Sequence, residues 1–297
     1  MRTLLAIGCC LLLGACKPKS EVVVFHAASL SAVFGELADR LKAADPPITV
    51  RLEPSGSLLA ARKVTEQGLR ADVVAVADDA ILQKLIVPAR APRAVVFATN
   101  ELVLAHLAHS PGTEEVTQQT WPEILSRPGV RLGRVDEDLA PIGYHTLFAW
   151  QLAGQAASRP GLAKQLRDAC PKERVVHDEA ELLALLEAKA VDYAFLYRST
   201  AEDHRLKVTP LGDEVNLSRP ELAAAYATAS TEVRLHTADA PVRLTGRPIS
   251  YALAVLADAP NPAGAKAFVE LLASDDGRKA LERHGFRPTP PPQGEAR

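Results

Sequence analysis

Four short stretches place small hydroxyl residues, glycine or an acid where an apolar run gives way to a helical pattern. His26-Ala27-Ala28-Ser29-Leu30-Ser31 follows the β-branched run Val22-Val23-Val24, and Pro54-Ser55-Gly56-Ser57 follows Ile48 to Leu52. Ala140-Pro141-Ile142-Gly143 opens the helix containing Tyr144 and Trp150, and His177-Asp178-Glu179 opens one carrying Leu182, Leu183, Leu185 and Leu186. A serine hydroxyl donates one hydrogen bond, a glycine admits close backbone approach, and the free amides and dipole of a helix N-terminus favour negative charge. Ligands of an open parallel sheet bind beyond the carboxyl ends of its strands, so these junctions together suit a compact anion. Taken singly, each has a plainer reading. Ser29 or Ser31 serves as a helix cap worth about 1 kcal/mol, and Ser55-Gly56-Ser57 as a turn. Asp178 with Glu181 reads as a capping box, with Glu179 suiting the helix dipole, and His26 as a local hydrogen-bonding residue at a strand end.

The elements that must position these residues follow from periodicity. Strands are expected at Glu21 to Phe25, Ile48 to Leu52 and Ala71 to Ala77, alternating with helices at Ser31 to Lys42 and Leu58 to Gln67, the latter ended by Gly68. Val33, Phe34, Leu37 and Leu41 form one face of the first helix. This alternation predicts a parallel α/β sheet. Ala94 to Ala98 and Glu101 to Ala105 are two apolar runs, the second read as a strand crossing into another lobe. Helices are expected at Thr120 to Ser126, Gly143 to Gln155, Gly161 to Asp168 and Glu179 to Ala188, and strands at Val130 to Gly133, Arg174 to His177 and Tyr193 to Tyr197. Ile249 to Leu256 reads as the returning crossover, Pro262 to Ser274 as a last long helix, and 288–297, rich in proline, as a loose tail.

The chain begins with Met1-Arg2-Thr3, an apolar run from Leu4 to Leu13, and Leu13-Gly14-Ala15-Cys16. A basic start, a short apolar core and a small-residue cleavage site describe a secretory signal rather than a spanning helix. The ending resembles a bacterial lipobox, which implies cleavage after residue 15 and acylation of Cys16. The expected product is extracytoplasmic and held at the membrane by lipid, on the periplasmic face in a cell with two membranes, with 16–20 as a lipidated tether. Of the four cysteines only Cys170 lies beyond the leader and anchor, so no disulfide between cysteines of the mature domains is possible. A formal net charge of −2 offers no electrostatic footprint for nucleic acid, and 5% aromatic content argues against stacked sugar or base platforms. About 280 residues remain after the leader, enough for two domains.

Longer stretches carry a resemblance. F-H-A-A-S-L-S (25–31), E-P-S-G-S (53–57), A-R-K-V-T-E-Q-G (61–68), A-D-V-V-A-V-A-D (71–78), N-E-L-V-L-A-H (100–106), V-D-Y-A-F-L-Y-R-S-T-A (191–201), D-E-V-N-L-S-R-P-E (213–221) and G-R-P-I-S-Y (246–251) resemble the molybdate/tungstate-binding proteins of the archaeal type. The resemblance runs from about Val22 to Phe286. It implies the two-lobed periplasmic-binding-protein fold of type II, with two crossover strands as hinge and the oxyanion in the cleft between lobes. One lobe is expected from 21–100 plus 252–287, the other from 101–251. Residue by residue, it implies that Ser29, taken with Ala28, binds oxyanion oxygens, and that Ser57 is a second such serine with Ser55 as its understudy. Ile142 matches a backbone-amide position, Tyr197 a phenolic donor, and Glu179, eighteen residues before Tyr197, a glutamate that is a candidate ligand to the oxyanion's own metal.

One position departs from that pattern. Where the archaeal-type proteins read D-P-C-G-Y, this chain reads Ala140-Pro141-Ile142-Gly143-Tyr144, so a methyl group stands where an aspartate joins the glutamate in six-coordination. Asp136, Glu137 and Asp138 lie just upstream as substitutes if the loop shifts. The expectation is a ligand held nearer to tetrahedral through neutral donors, with no cofactor and no resident metal. The implied partners are the oxyanion and an ABC permease with its ATPase, the protein itself being a monomer. Rival readings are a binding protein of the same fold for sulfate or thiosulfate, and a lipoprotein that senses the oxyanion. A secreted hydrolase is the third, against which stand the lack of a G-x-S-x-G elbow or an H-E-x-x-H helix.

Overall fold

The structure, a computed structural model, describes residues 21–290. The expected leader, Cys16, the tether up to Ser20 and the end of the expected tail therefore lie outside the described residues. In chain order the elements are β1 (Val22–Ala27), α1 (Ser31–Lys42), β2 (Val50–Ser55), α2 (Ser57–Thr65), β3 (Val73–Val76), α3 (Asp79–Leu85), β4 (Val95–Thr99) and β5 (Leu102–His106). There follow α4 (Trp121–Leu125), β6 (Leu132–Val135), α5 (Pro141–Ala156), α6 (Leu162–Asp168), β7 (Val175–Val176), α7 (Glu179–Glu187), β8 (Tyr193–Tyr197), α8 (Arg198–Asp203) and β9 (Lys207–Pro210). The chain ends with α9 (Ala223–Tyr226), β10 (Ser230–Val233), β11 (Val242–Thr245), β12 (Ser250–Val255), α10 (Pro262–Ala273), α11 (Asp275–Arg283) and β13 (Arg287–Pro288).

Two large sheets organise these elements, as the alternation and the resemblance predict, and β10 and β11 form a separate antiparallel pair. The first has the order β13-β4-β12-β3-β1-β2, with β1, β2 and β3 parallel and β12 antiparallel to both β3 and β4. The second has the order β7-β6-β8-β5-β9, with β6, β7 and β8 parallel and β5 antiparallel to β8 and β9. β1 is buried along its whole length, as an unbroken β-branched run between covered faces requires. Helix α1 turns Val33, Phe34, Leu37 and Leu41 inward, the face its spacing predicts. Among the described residues no helix is long and apolar enough to cross a membrane.

The chain leaves the first sheet after Thr99 and enters the second at Leu102, so the crossing is confined to Asn100 and Glu101. Asn100 Nδ2 donates to Ser199 Oγ at 2.8 Å, Glu101 pairs with Arg198, and the Arg287 guanidinium lies 3.1 Å from Glu101. The return is complete by Ser250, which pairs with Thr99 in the first sheet, two residues earlier than the expected boundary at 252. Most of the expected loose tail, 288–297, lies outside the described residues, but its first residues are held by the first sheet. Pro288 pairs with Ala98, the Thr289 amide donates to Phe97 O at 3.0 Å, and Arg278 donates to Thr289 O at 2.6 Å. Proline ends this edge strand without loss, because its missing N–H faces away from the ladder. The helix expected from Pro262 to Ser274 is α10, but it is not the last: Ser274, whose hydroxyl accepts from the Gly277 amide, caps a further helix, α11.

Candidate functional site

The carboxyl ends of six parallel strands, three from each sheet, face one another across the space between the sheets. β1 runs into the 3-10 turn Ala28–Leu30, β2 through Gly56 into α2, and β3 into Ala77. Opposite them, the loop after β6 leads to α5, β7 leads through His177 and Asp178 to α7, and β8 ends at Tyr197. A cavity of about 10 Å³ lies at this meeting point, lined from the first side by Ala27, Ala28, Ser29, Ser55, Gly56 and Ser57 with Ala77. Ala140, Pro141, Ile142, Asp178, Glu179 and Tyr197 line it from the other. All seven residues singled out from the sequence, Ala28, Ser29, Ser55, Ser57, Ile142, Glu179 and Tyr197, are brought together here.

The lining presents donors and no cation. The first turn of α5 holds Ile142, and neither Ala140 at its N-cap nor Gly56 at the N-cap of α2 offers a capping side chain to the first-turn amides. Ser57 Oγ accepts from the Ala77 amide at 3.1 Å, which leaves its own hydrogen to donate. Ser29 Oγ is 2.9 Å from Tyr251 Oη. Ser55 Oγ is buried and has no hydrogen-bond partner. A buried hydroxyl left unpaired costs about 1–3 kcal/mol, and this one stands at the cavity wall.

The two acids at the α7 junction separate into different roles. Asp178 caps the helix, its Oδ1 accepting from the Ala180 and Glu181 amides at 3.0 Å each. Glu181 closes the box onto the His177 amide, one residue before the cap. Glu179 is not the solvated first-turn acid of the plainer reading. It is buried, and its Oε1 accepts from the Tyr197 amide at 3.0 Å. Burial pushes its carboxyl up to about 7, against the downward pull of the Tyr197 amide and of the Thr200 and Ser29 hydroxyls.

Ala140 lines the cavity with its methyl group, and the three acids upstream are engaged elsewhere. Asp136 accepts from the Asp138 amide at 2.8 Å, Glu137 pairs with Arg134 and Arg167, and Asp138 accepts from the Arg234 amide at 2.6 Å. None of the three lines the cavity. His26 stays a local residue: its Nδ1 is 2.9 Å from Ala27 O, its ring packs on Phe34, and burial pushes its pKa down to about 4.

Sequence reasoning read Gly56 as a point of close backbone approach but did not foresee its contact across the cavity, and it missed the other groups that close and support it. Gly56 sits against the opposite side so tightly that a Cβ there would lie 2.4 Å from Leu139 O. Tyr144 Oη donates across the same gap to Asp78 Oδ2 at 2.8 Å. Farther out, the Arg62 guanidinium reaches the carbonyls of Arg234 and Leu235, while Glu66 accepts from the Thr237 amide and hydroxyl. Behind the cavity, His145 Nδ1 lies 3.0 Å from Tyr197 Oη. Tyr251 belonged to a quoted stretch, G-R-P-I-S-Y, yet nothing local told that its hydroxyl would meet Ser29.

Comparison with known proteins bears on this geometry. Residues 22–287 match the family described as bacterial extracellular solute-binding protein. A relative from Petrotoga mobilis, named an uncharacterized solute-binding protein, is 37% identical over 274 residues, covering 92% of this chain and 85% of its own. The molybdate/tungstate-binding protein of Pyrococcus abyssi is 33% identical over 299 residues, covering 92% of this chain and 86% of its own. Among solved structures, the periplasmic molybdate-binding protein of Azotobacter vinelandii superposes with a TM-score of 0.64 over 89% of this chain and 98% of its own. At 14% identity that likeness speaks for the fold.

Proposed function

Because this chain belongs to the bacterial extracellular solute-binding protein family, we propose that its solute is a tetrahedral oxyanion of the molybdate or tungstate kind. The observation that carries this reading is the cavity itself: a small, cation-free space ringed by hydroxyls and helix-start amides from both sheets. The 33% identity to a molybdate/tungstate-binding protein over 92% of the chain supports the choice of anion. Ser29, Ser55 and Ser57 donate from one side, with the Ala28 amide beside them. The Ile142 amide and the Tyr197 hydroxyl donate from the other. Fixed donors reward a guest that is all acceptor. Protonated phosphate brings a hydrogen that meets another donor and leaves groups unpaired.

Glu179 is the one acid of the lining that does not cap a helix, and its Oε1 already accepts from the Tyr197 amide. With Ala140 in place of a second carboxylate, the anion keeps its four oxygens and a near-tetrahedral shape. The signal-like leader and Cys16 support export and lipid anchoring. Delivery to an ABC permease and its ATPase follows lobe closure about Asn100–Glu101 and the strand entry at Ile249–Ser250. Calorimetric titration of the mature protein with molybdate, tungstate and sulfate tests the reading. Tight binding of the first two with weak or no sulfate binding is expected, and preferential sulfate binding refutes it.

A further inference from the structure

The cavity donor Tyr197 is not free to point where it likes. Its hydroxyl is 3.0 Å from His145 Nδ1, and both side chains are buried. A phenol has one hydrogen, so the direction of this bond decides whether that hydrogen faces the imidazole or a guest. An imidazole protonated on Nδ1 donates to the phenolic oxygen and releases the hydrogen. One protonated only on Nε2 captures it. We infer that His145 is a positioning residue for oxyanion binding, holding its proton on Nδ1 in the loaded protein so that Tyr197 donates to the anion.

The surroundings of His145 make this a choice between two neutral forms. Burial, with the charge of Arg247 adding to it, pushes the imidazole pKa down to about 3. Its Nε2 is buried with no hydrogen-bond partner. The groups that face the ring are Asp78, whose Oδ2 lies 3.9 Å from Nε2, together with Tyr144, Phe148 and Tyr197. At 3.9 Å the Asp78 carboxylate is too far to hydrogen-bond, but it favours a proton on Nε2 electrostatically. Tyr144 Oη donates to that same Oδ2 and Arg247 lies 3.6 Å from Oδ1, so the pull of Asp78 is already shared. An anion that needs the Tyr197 hydrogen tips the balance the other way, and the imidazole proton moves to Nδ1. The neutral ring thus couples the cavity to the Tyr144–Asp78 contact that joins the two sides.

This inference rests on the oxyanion reading, and the experiment separates the two. Nitrogen-15 NMR of the histidine side chains, with His145 identified by its loss in a variant, reads the tautomer with and without molybdate. Protonated Nδ1 in the molybdate-bound protein is expected, and an Nε2-protonated ring there overturns the inference. Titration of His145→Asn, His145→Asp, Tyr197→Phe and the two double variants supplies the energetic arm. An asparagine amide reproduces the Nδ1 donor, whereas an aspartate only accepts. His145→Asp is expected to weaken molybdate binding roughly 10- to 100-fold, as Tyr197→Phe does, while His145→Asn stays within several-fold of wild type. In the Tyr197→Phe background the gap between the Asn and Asp variants is expected to shrink to the repulsion between the added carboxylate and the anion. Equal losses for Asn and Asp with tyrosine present, or a difference as large without it, overturn the positioning role. Failure of the wild type to bind any of the oxyanions overturns the functional reading and this inference with it.

Discussion

Substituting alanine for Gly56 isolates the closing of the cavity from the building of either side. The added Cβ would lie 2.4 Å from Leu139 O, 3.0 Å from Leu139 C and 3.1 Å from Ala140 Cβ, all on the opposite side of the cavity. Ordinary C···O contact is about 3.3 Å, so the two sides must separate by somewhat under 1 Å or distort locally. Overpacking of this kind costs about 1–3 kcal/mol, which is roughly a 5- to 150-fold loss of affinity if binding requires closure. The backbone itself raises no objection. Gly56 has φ −61° and ψ 142°, a region open to alanine. Locally, alanine is a poorer N-cap than glycine but reduces unfolded-chain entropy, and these opposing effects keep ligand-free stability within about 1 kcal/mol of wild type. Calorimetric titration with molybdate, paired with denaturant unfolding of the empty protein, is the assay. Unchanged affinity refutes the reasoning, as does a loss of ligand-free stability as large as the loss in binding energy.

Other expectations follow from the same geometry. X-ray absorption of the molybdenum-loaded protein should keep the strong pre-edge feature of tetrahedral molybdate, and its collapse to a six-coordinate spectrum would show that Ala140 does not limit coordination. Ser55→Ala removes an unpaired buried hydroxyl. It should leave the empty protein as stable or slightly more so, while weakening molybdate binding about 10-fold. A loss of stability without loss of affinity contradicts that assignment. Glu179 has a folded-state pKa raised from the ordinary 4.5 to about 7. Its contribution is therefore full below about pH 4.5 and is lost as pH rises to about 7, on the order of 3 kcal/mol. Glu179→Gln keeps an acceptor for the Tyr197 amide, so unfolding free energies of the two proteins should diverge across that window, wild type falling relative to the variant. Parallel pH profiles refute the buried-carboxyl account.

The sequence disclosed what depends on short-range order. The α1 face is legible because Val33, Phe34, Leu37 and Leu41 repeat at helical spacing, and the junction serines stand next to the strands that present them. Elements without such periodicity escaped. The stretch between β9 and β12 holds α9, β10 and β11, none longer than four residues, and is fixed by distant partners such as Gln151, which exchanges two hydrogen bonds with Ser230. The short α3 is announced only by Asp78, whose capping of Ala80 looks like any acidic loop residue. The supporting shell escaped for the same reason. His145 lies 52 residues from Tyr197, Tyr144 66 from Asp78, and Ser29 222 from Tyr251. The role of Glu179 was split: its place at the cavity was implied by the resemblance alone, but its burial depended on how α7 packs against β8.

The strand order also sets a timetable for folding. Every strand of the second sheet lies between Leu102 and Pro210, so that sheet draws on one continuous stretch of polypeptide. The first sheet does not. Its β12 is inserted between β3 and β4, and β13 caps the edge beyond β4. Until β12 has emerged, β3 and β4 have no strand to join them, and the sheet exists only as the β2-β1-β3 fragment with unpaired edges. The lobe that begins the chain is therefore the last to be finished. A chain stopped after Pro210 would keep every strand of the second sheet and lack the strand that joins β3 to β4 in the first.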